Sequence, residues 1–110
     1  MFSFLKKFLL SSQSISISEL AEILKRDKIK LLDVRTTSEY QGGHIRGAQH
    51  FPLERISSYQ GKKNEKVYVI CHSGLRSRRA AAILRKKGYD VVNVRGGMMA
   101  WLNQKVGGII

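Results

Sequence analysis

Cysteine is nearly missing from this chain: Cys71 is the only one in 110 residues. A single thiol closes no internal disulfide, which sets aside the oxidised secretory scaffolds, and it leaves no second sulfur to complete a cysteine zinc site. Long apolar runs are missing as well, since nothing approaches the roughly 18 residues that span a bilayer. The N-terminal "MFSFLKKFLLSSQS" begins like a signal peptide, but Lys6 and Lys7 interrupt its apolar part and leave only Phe8, Leu9 and Leu10 beyond them. A cytoplasmic chain is therefore expected. Phe2, Leu5, Phe8 and Leu9 would share one face of a short basic helix able to rest on a membrane surface, but a frayed or packed extension is the simpler reading. Acidic residues are scarce too: 8 Asp/Glu stand against 20 Lys/Arg, for a net charge of +12. Aromatics make up only 8% of the chain, few for a protein that stacks on bases.

The positive charge that is present is uneven. Residues 1–55 hold nine Lys/Arg against six Asp/Glu, and residues 56–110 hold eleven against two. The half containing Cys71 is thus the electropositive one, a field suited to small anions and compatible with RNA or an acidic partner. A chain of this length supports one core and not two. There is no internal repeat, and the only biased stretch is the serine-rich "SSQSISIS".

Elements follow from spacing. "ISIS" at Ile15 suits a short strand, after which Ser16 or Ser18 caps a helix "ELAEILKR" with Leu20, Ile23 and Leu24 on one face. "IKLLDV", residues 29–34, is the largely apolar run of a buried parallel strand. Thr36 and Glu39 have capping-box spacing, so "TSEYQ" starts a helical turn that Gly42 and Gly43 end. "AQHFPL" contains Pro52, the only proline, and is expected at a sheet edge because proline donates nothing to a ladder. "YQGKKNE" is a polar loop. "KVYVI", residues 66–70, is the strongest candidate for a central strand, followed by a helix from Ser77 to Lys87 with Gly88 as its stop. "DVVNV" is the next strand, and "GGMMAWLNQ" the last short helix. The alternation predicts an α/β fold: a single domain with a mainly parallel central sheet and helices on both faces. The expected layout is an extension over 1–14, the domain over 15–103 and a tail over 104–110.

In such sheets ligands sit beyond the carboxyl ends of the strands, and Cys71 occupies such an end. It follows a strand and precedes a helix, so the amides of His72, Ser73, Gly74, Leu75, Arg76 and Ser77 can curl round the sulfur while the helix N-terminus adds partial positive charge. That surrounding favours a thiolate. Gly74 permits a tight anion-cradling turn, and Arg76, with Arg78 and Arg79 near by, adds full charge.

Three motifs carry a resemblance. "LLDVRTTSEYQGGHIRGAQHFPL", "CHSGLRS" and "VRGGMMAW" resemble, in order and spacing, the opening signature, active-site loop and closing segment of the rhodanese-like domains. The resemblance implies a sulfurtransferase: Cys71 takes the outer sulfur of thiosulfate or another small anionic donor, holds it as a persulfide, and passes it to a thiol or protein acceptor, with no metal or cofactor. It further implies that the loop amides from His72 to Ser77 cradle the persulfide and that Arg76 holds the donor's sulfonate-like group, a role that guanidinium geometry suits. Asp33 and Arg35 are read as scaffold beside the loop, with Arg35 and Glu39 as an ion pair fixing the following turn. His44 belongs to a structural turn, and Trp101, Met98 and Met99 to packing. A docking module without catalysis and a Cys-dependent phosphatase or arsenate reductase are the alternatives. Against the latter stands the C-x4-R spacing from Cys71 to Arg76, one residue shorter than phosphatase loops. An RNA-thiolating partner would make the basic half its docking face.

Overall fold

The computed structural model describes residues 13–110, so the face suggested for Phe2, Leu5, Phe8 and Leu9 lies outside the described residues. In chain order the elements are β1 (Ser14–Ile15), α1 (Ile17–Arg26), β2 (Lys30–Asp33), α2 (Thr37–Gln41), β3 (Gln49–His50), a 3₁₀ helix (Leu53–Ser58), β4 (Val67–Ile70), α3 (Leu75–Lys86), β5 (Val91–Val94) and α4 (Gly97–Asn103). The five strands form one sheet in the order β1-β5-β4-β2-β3, and each neighbouring pair runs parallel. "VYVI" is the middle strand, buried throughout, as its uninterrupted apolar run predicts. The edge position expected for the segment before Pro52 is also found, in β3.

Strand alternation sorts the core into two layers. Leu31, Tyr68, Ile70, Val92 and Val94 pack with Leu20 of α1 and with Met98 and Trp101 of α4. Leu32, Val67, Val69 and Val91 point the other way, onto Ile56 of the 3₁₀ helix and Ala80, Ala81 and Leu84 of α3. The small alanines let α3 lie close to the sheet. Because residues 67, 69 and 71 share a face, the pleat carries past the end of β4 and puts Cys71 in the α3 layer.

Local chemistry moved several boundaries. Ser16 is the cap of α1, with its hydroxyl accepting from the Glu19 amide and the Glu19 carboxylate accepting from the Ser16 amide. That reciprocal box places Ile17 in the helix, so the strand expected over "ISIS" shrinks to Ser14–Ile15. The 3₁₀ helix after Pro52 carries no sequence signal of comparable strength. Helix α3 begins at Leu75 and not at Ser77, because Gly74 takes φ 109° and turns the chain directly into the helix. Residues 104–110 fold back onto the domain: Trp101 Nε1 donates to the Gly107 carbonyl at 2.8 Å, and Ile109 bridges Ile45 in antiparallel pairing. No helix of the described residues is long and apolar enough to cross a membrane.

Candidate active site

Cys71 is 1% exposed, and it sits in the turn from β4 to α3. The Gly74 amide donates to Sγ at 3.0 Å, and Sγ lies 3.4 Å from Ser77 Oγ, to which the thiol donates. Ser77 in turn donates to the Gly74 carbonyl at 3.1 Å. A hydroxyl both donates and accepts, so once the sulfur is ionised the Ser77 proton can swing from that carbonyl onto it. No side chain caps the start of α3, which leaves first-turn amides and their partial positive charge for an anion in the loop.

The loop is held open from behind by α4. The Met98 amide donates to the Cys71 carbonyl at 2.8 Å and the Met99 amide to the His72 carbonyl at 2.9 Å. These bonds tie the Cys71 and His72 carbonyls to the start of α4. The approach needs Gly97, where a Cβ would stand 2.4 Å from the Cys71 carbonyl oxygen. The closing "RGGMM" is legible in the sequence as a motif, but its role as the rear wall of the Cys71 loop is not.

Of the loop residues singled out from sequence, Gly74 and Ser77 are the pair that contact the sulfur. His72, Ser73 and Leu75 form a rim, with Leu75 66% exposed. Arg76 is engaged elsewhere: its Nη1 and Nη2 donate to the two Glu39 carboxylate oxygens at 2.7 and 2.9 Å. This corrects the expected Arg35–Glu39 pair. Arg35 instead donates from Nε and Nη2 to Asp33, at 2.9 and 2.7 Å, because residues two apart on an extended strand end project to the same side. The Asp33–Arg35 pair is buried, and Arg35 also donates to the Gly43 carbonyl, which ties the end of β2 to the following turn. Glu39 is left at the start of α2, where its carboxylate accepts from the Thr36 amide and meets Arg76 arriving from α3.

Hydrogen bonding to Arg76, with the Thr36 contacts, holds the Glu39 carboxyl down at about 2 against its ordinary 4.5. The same hydrogen bonding, with the charge of Glu39, pushes the Arg76 guanidinium further up. A depressed carboxylate stabilises the fold above its unfolded pKa and loses that contribution as pH falls toward the folded one. Acid unfolding should therefore show a loss between pH 4.5 and about 2 that Glu39→Gln lacks. Since both side chains are about a third exposed, solvent screening reduces the difference to roughly 1 kcal/mol. Chemical denaturation of both proteins across this range measures it.

The histidines do not reach the sulfur. His44 Nδ1 pairs with the Tyr40 carbonyl and its ring stacks on Tyr40 at 3.6 Å, in keeping with a structural turn. His50 Nε2 pairs with the Arg35 carbonyl. No three His, Cys, Asp or Glu side chains converge on a metal-sized space among the described residues. Two pockets flank the loop. One, about 360 Å³, is lined by Arg76, Arg79, Thr36 and the apolar Val34, Leu53 and Ile83; the other, about 480 Å³, opens beside Ser73 and Gly74.

The family model for the Rhodanese-like domain matches residues 16–104. The chain is 31% identical over 90 residues to the thiosulfate sulfurtransferase GlpE of Pseudoalteromonas translucida, covering 79% of this chain and 86% of that protein. It is 41% identical over 78 residues to the putative sulfur carrier protein YrkF of Bacillus subtilis, covering 68% of this chain but only 42% of that longer protein. A crystal structure of a rhodanese-like domain protein from Staphylococcus aureus superposes with a TM-score of 0.77 at 38% identity, covering 81% of this chain and 90% of that one. A parallel five-stranded sheet with a lone cysteine turning from its central strand into an uncapped helix, matched over nearly its whole described length, makes this chain a member of the rhodanese-like domain family.

Proposed function

We propose that the chain moves a sulfane sulfur from thiosulfate or a related anionic donor to a thiol acceptor through a persulfide on Cys71. The Cys71 thiolate attacks the outer sulfur of the donor. A sulfur–sulfur bond forms, the donor's own sulfur–sulfur bond breaks, and its electron pair leaves with sulfite. The acceptor thiolate then attacks the terminal sulfur of the persulfide, takes it, and returns Cys71 as thiolate, so electrons balance without a redox partner. The observation that carries this reading is the 3.0 Å contact from the Gly74 amide to Sγ at the uncapped start of a 12-residue helix. That amide and the partial positive charge of the helix start suit an anionic sulfur, and the two-stage cycle uses the same donor for thiolate and persulfide. The naming of relatives as sulfurtransferases supports the same class of reaction.

Intact-mass spectrometry after incubation with thiosulfate tests it. The expected result is a gain of one sulfur atom on Cys71 that cyanide or a thiol removes; a mass unchanged by thiosulfate overturns the reading.

Arg76 enters through its remaining donors. Glu39 occupies two of its nitrogens and fixes the guanidinium plane, leaving the other N–H groups to meet the sulfonate end of the donor. Arg76→Ala should lower kcat/KM for thiosulfate by roughly ten- to a hundredfold, as for loss of one charge-assisted contact, while an uncharged or persulfide donor is affected far less. Equal losses with both donor types would show that Arg76 acts only through Glu39.

A further inference from the structure

The 480 Å³ pocket beside Ser73 and Gly74 is walled by Arg78 and Arg85 of α3 and by Arg95 and Asn93 at the β5 side. Its electrostatics are unbalanced. Arg78 pairs with no carboxylate among the described residues, and the nearest acid to Arg95 is Glu19, at 3.9 Å. Arg85 spends one contact on the Gln13 carbonyl at 3.3 Å, and Arg95 spends one on Ser14 Oγ at 2.8 Å. Beneath these contacts, Arg85 Nε, Asn93 Oδ1 and Gln13 Oε1 are buried without a partner, and Asn93 is only 5% exposed. Buried polar groups are ordinarily paired; of these three only Arg85 Nε is a donor that an anion could complete, while the two amide oxygens accept. Burial also lowers the Arg85 pKa, the mark of a cation taken from water without a counter-charge.

The walls define the ligand's chemistry. Three guanidinium forks suit paired oxygens of carboxylate or phosphate, and more than one negative charge is needed to balance them. A pocket of this size exceeds a single oxyanion and holds a small organic molecule. Its location sets the direction: Gly74 lines the pocket and also donates to the Cys71 sulfur, so a molecule anchored on the arginines extends toward the loop. Thiosulfate needs no such anchorage, as it is itself the anion the loop receives. We infer that this pocket is a binding site for a compact organic dianion, a phosphate or a dicarboxylate, and that it seats the charged end of the thiol that accepts sulfur from Cys71. The acceptor half of this inference rests on Cys71 being the sulfur carrier, whereas anion binding does not.

Two measurements keep these apart. In the first, the full chain is titrated calorimetrically with inorganic pyrophosphate and with succinate, which distinguishes the two kinds of headgroup. Saturable binding of at least one is expected, retained in Cys71→Ser, weakened about tenfold or more in Arg85→Gln and Arg78→Gln, and unchanged in Lys86→Gln outside the pocket. Arg78 is exposed, so its variant answers even where Arg85→Gln perturbs β1. In the second, the preloaded persulfide is discharged by matched thiols: 4′-phosphopantetheine against pantetheine, and mercaptosuccinate against 2-mercaptoethanol. The charged member of at least one pair should react with a lower KM, and Arg78→Gln should raise the KM of that charged thiol several-fold more than that of its neutral partner. No saturable binding, or binding that the arginine variants leave intact, overturns the site. Binding with no preference for charged thiols, or a Cys71 that never gains sulfur, overturns the acceptor role while leaving the anion site standing.

Discussion

Cys71→Ser is expected to reduce sulfur transfer from thiosulfate to cyanide to the uncatalysed background, a loss on the order of a thousandfold or more. The hydroxyl that replaces the thiol is not ionised near neutrality and has no route to a stable persulfide-like carrier, so neither half of the cycle survives. The fold should be spared. Serine is close in shape, the Gly74 amide that donates to Sγ at 3.0 Å still finds an acceptor, and the change in stability should stay within about 1 kcal/mol. Steady-state assays with cyanide, alongside thermal melts, check both halves. Comparable turnover in the mutant would remove Cys71 from the reaction, and a collapsed melt would mean that the thiol serves packing first.

Gly97→Ala should be nearly as damaging to activity, by a different route. The added Cβ would meet the Cys71 carbonyl oxygen at 2.4 Å, the His72 carbonyl oxygen at 2.6 Å and the His72 carbonyl carbon at 2.7 Å. All three are backbone atoms, so relief requires moving the sulfur-bearing loop or the start of α4, with loss of the Met98 and Met99 amide bonds behind it. A destabilisation of about 3 kcal/mol or more is expected, together with a drop in kcat/KM that exceeds what the stability loss alone would produce. Gly47→Ala provides the control, because Gly47 also has positive φ, at 89°, yet a methyl group there would meet nothing within 4 Å. That variant should lose only the roughly 1 kcal/mol of left-handed strain. Matching melts and activities for the two would mean that α4 does not brace the loop.

The closeness of α4 to the loop also shows why some features can be read from the chain and others not. Helix caps and strand runs depend on neighbours within a few residues. The Thr36–Glu39 box is found as spaced, Gly88 follows the end of α3, and "VYVI" is central because an unbroken apolar run is stable only with both faces covered. Side-chain partnership across elements carries no such local signature. In the sequence Glu39 is simply an acid close to Arg35, whereas its meeting with Arg76 joins positions 37 residues apart. The pocket formed by Arg78, Arg85, Arg95 and Asn93 likewise gathers residues from a helix and from a strand and its end, which no local pattern links.

By itself, then, the amino-acid sequence determined the order of strands and α-helices, the parallel sheet and the position of one thiol at the end of its central strand, since each follows from short-range hydrophobic period, capping and glycine placement. Only the tertiary structure decided what surrounds that thiol. It set one amide and one hydroxyl on the sulfur, turned Arg76 onto Glu39, locked Arg35 onto Asp33, and pressed Gly97 against the loop. The physical reason is that these contacts are chosen by the packing of two helical layers on a twisted sheet, where displacements of an ångström select one partner over another and no local pattern records the choice.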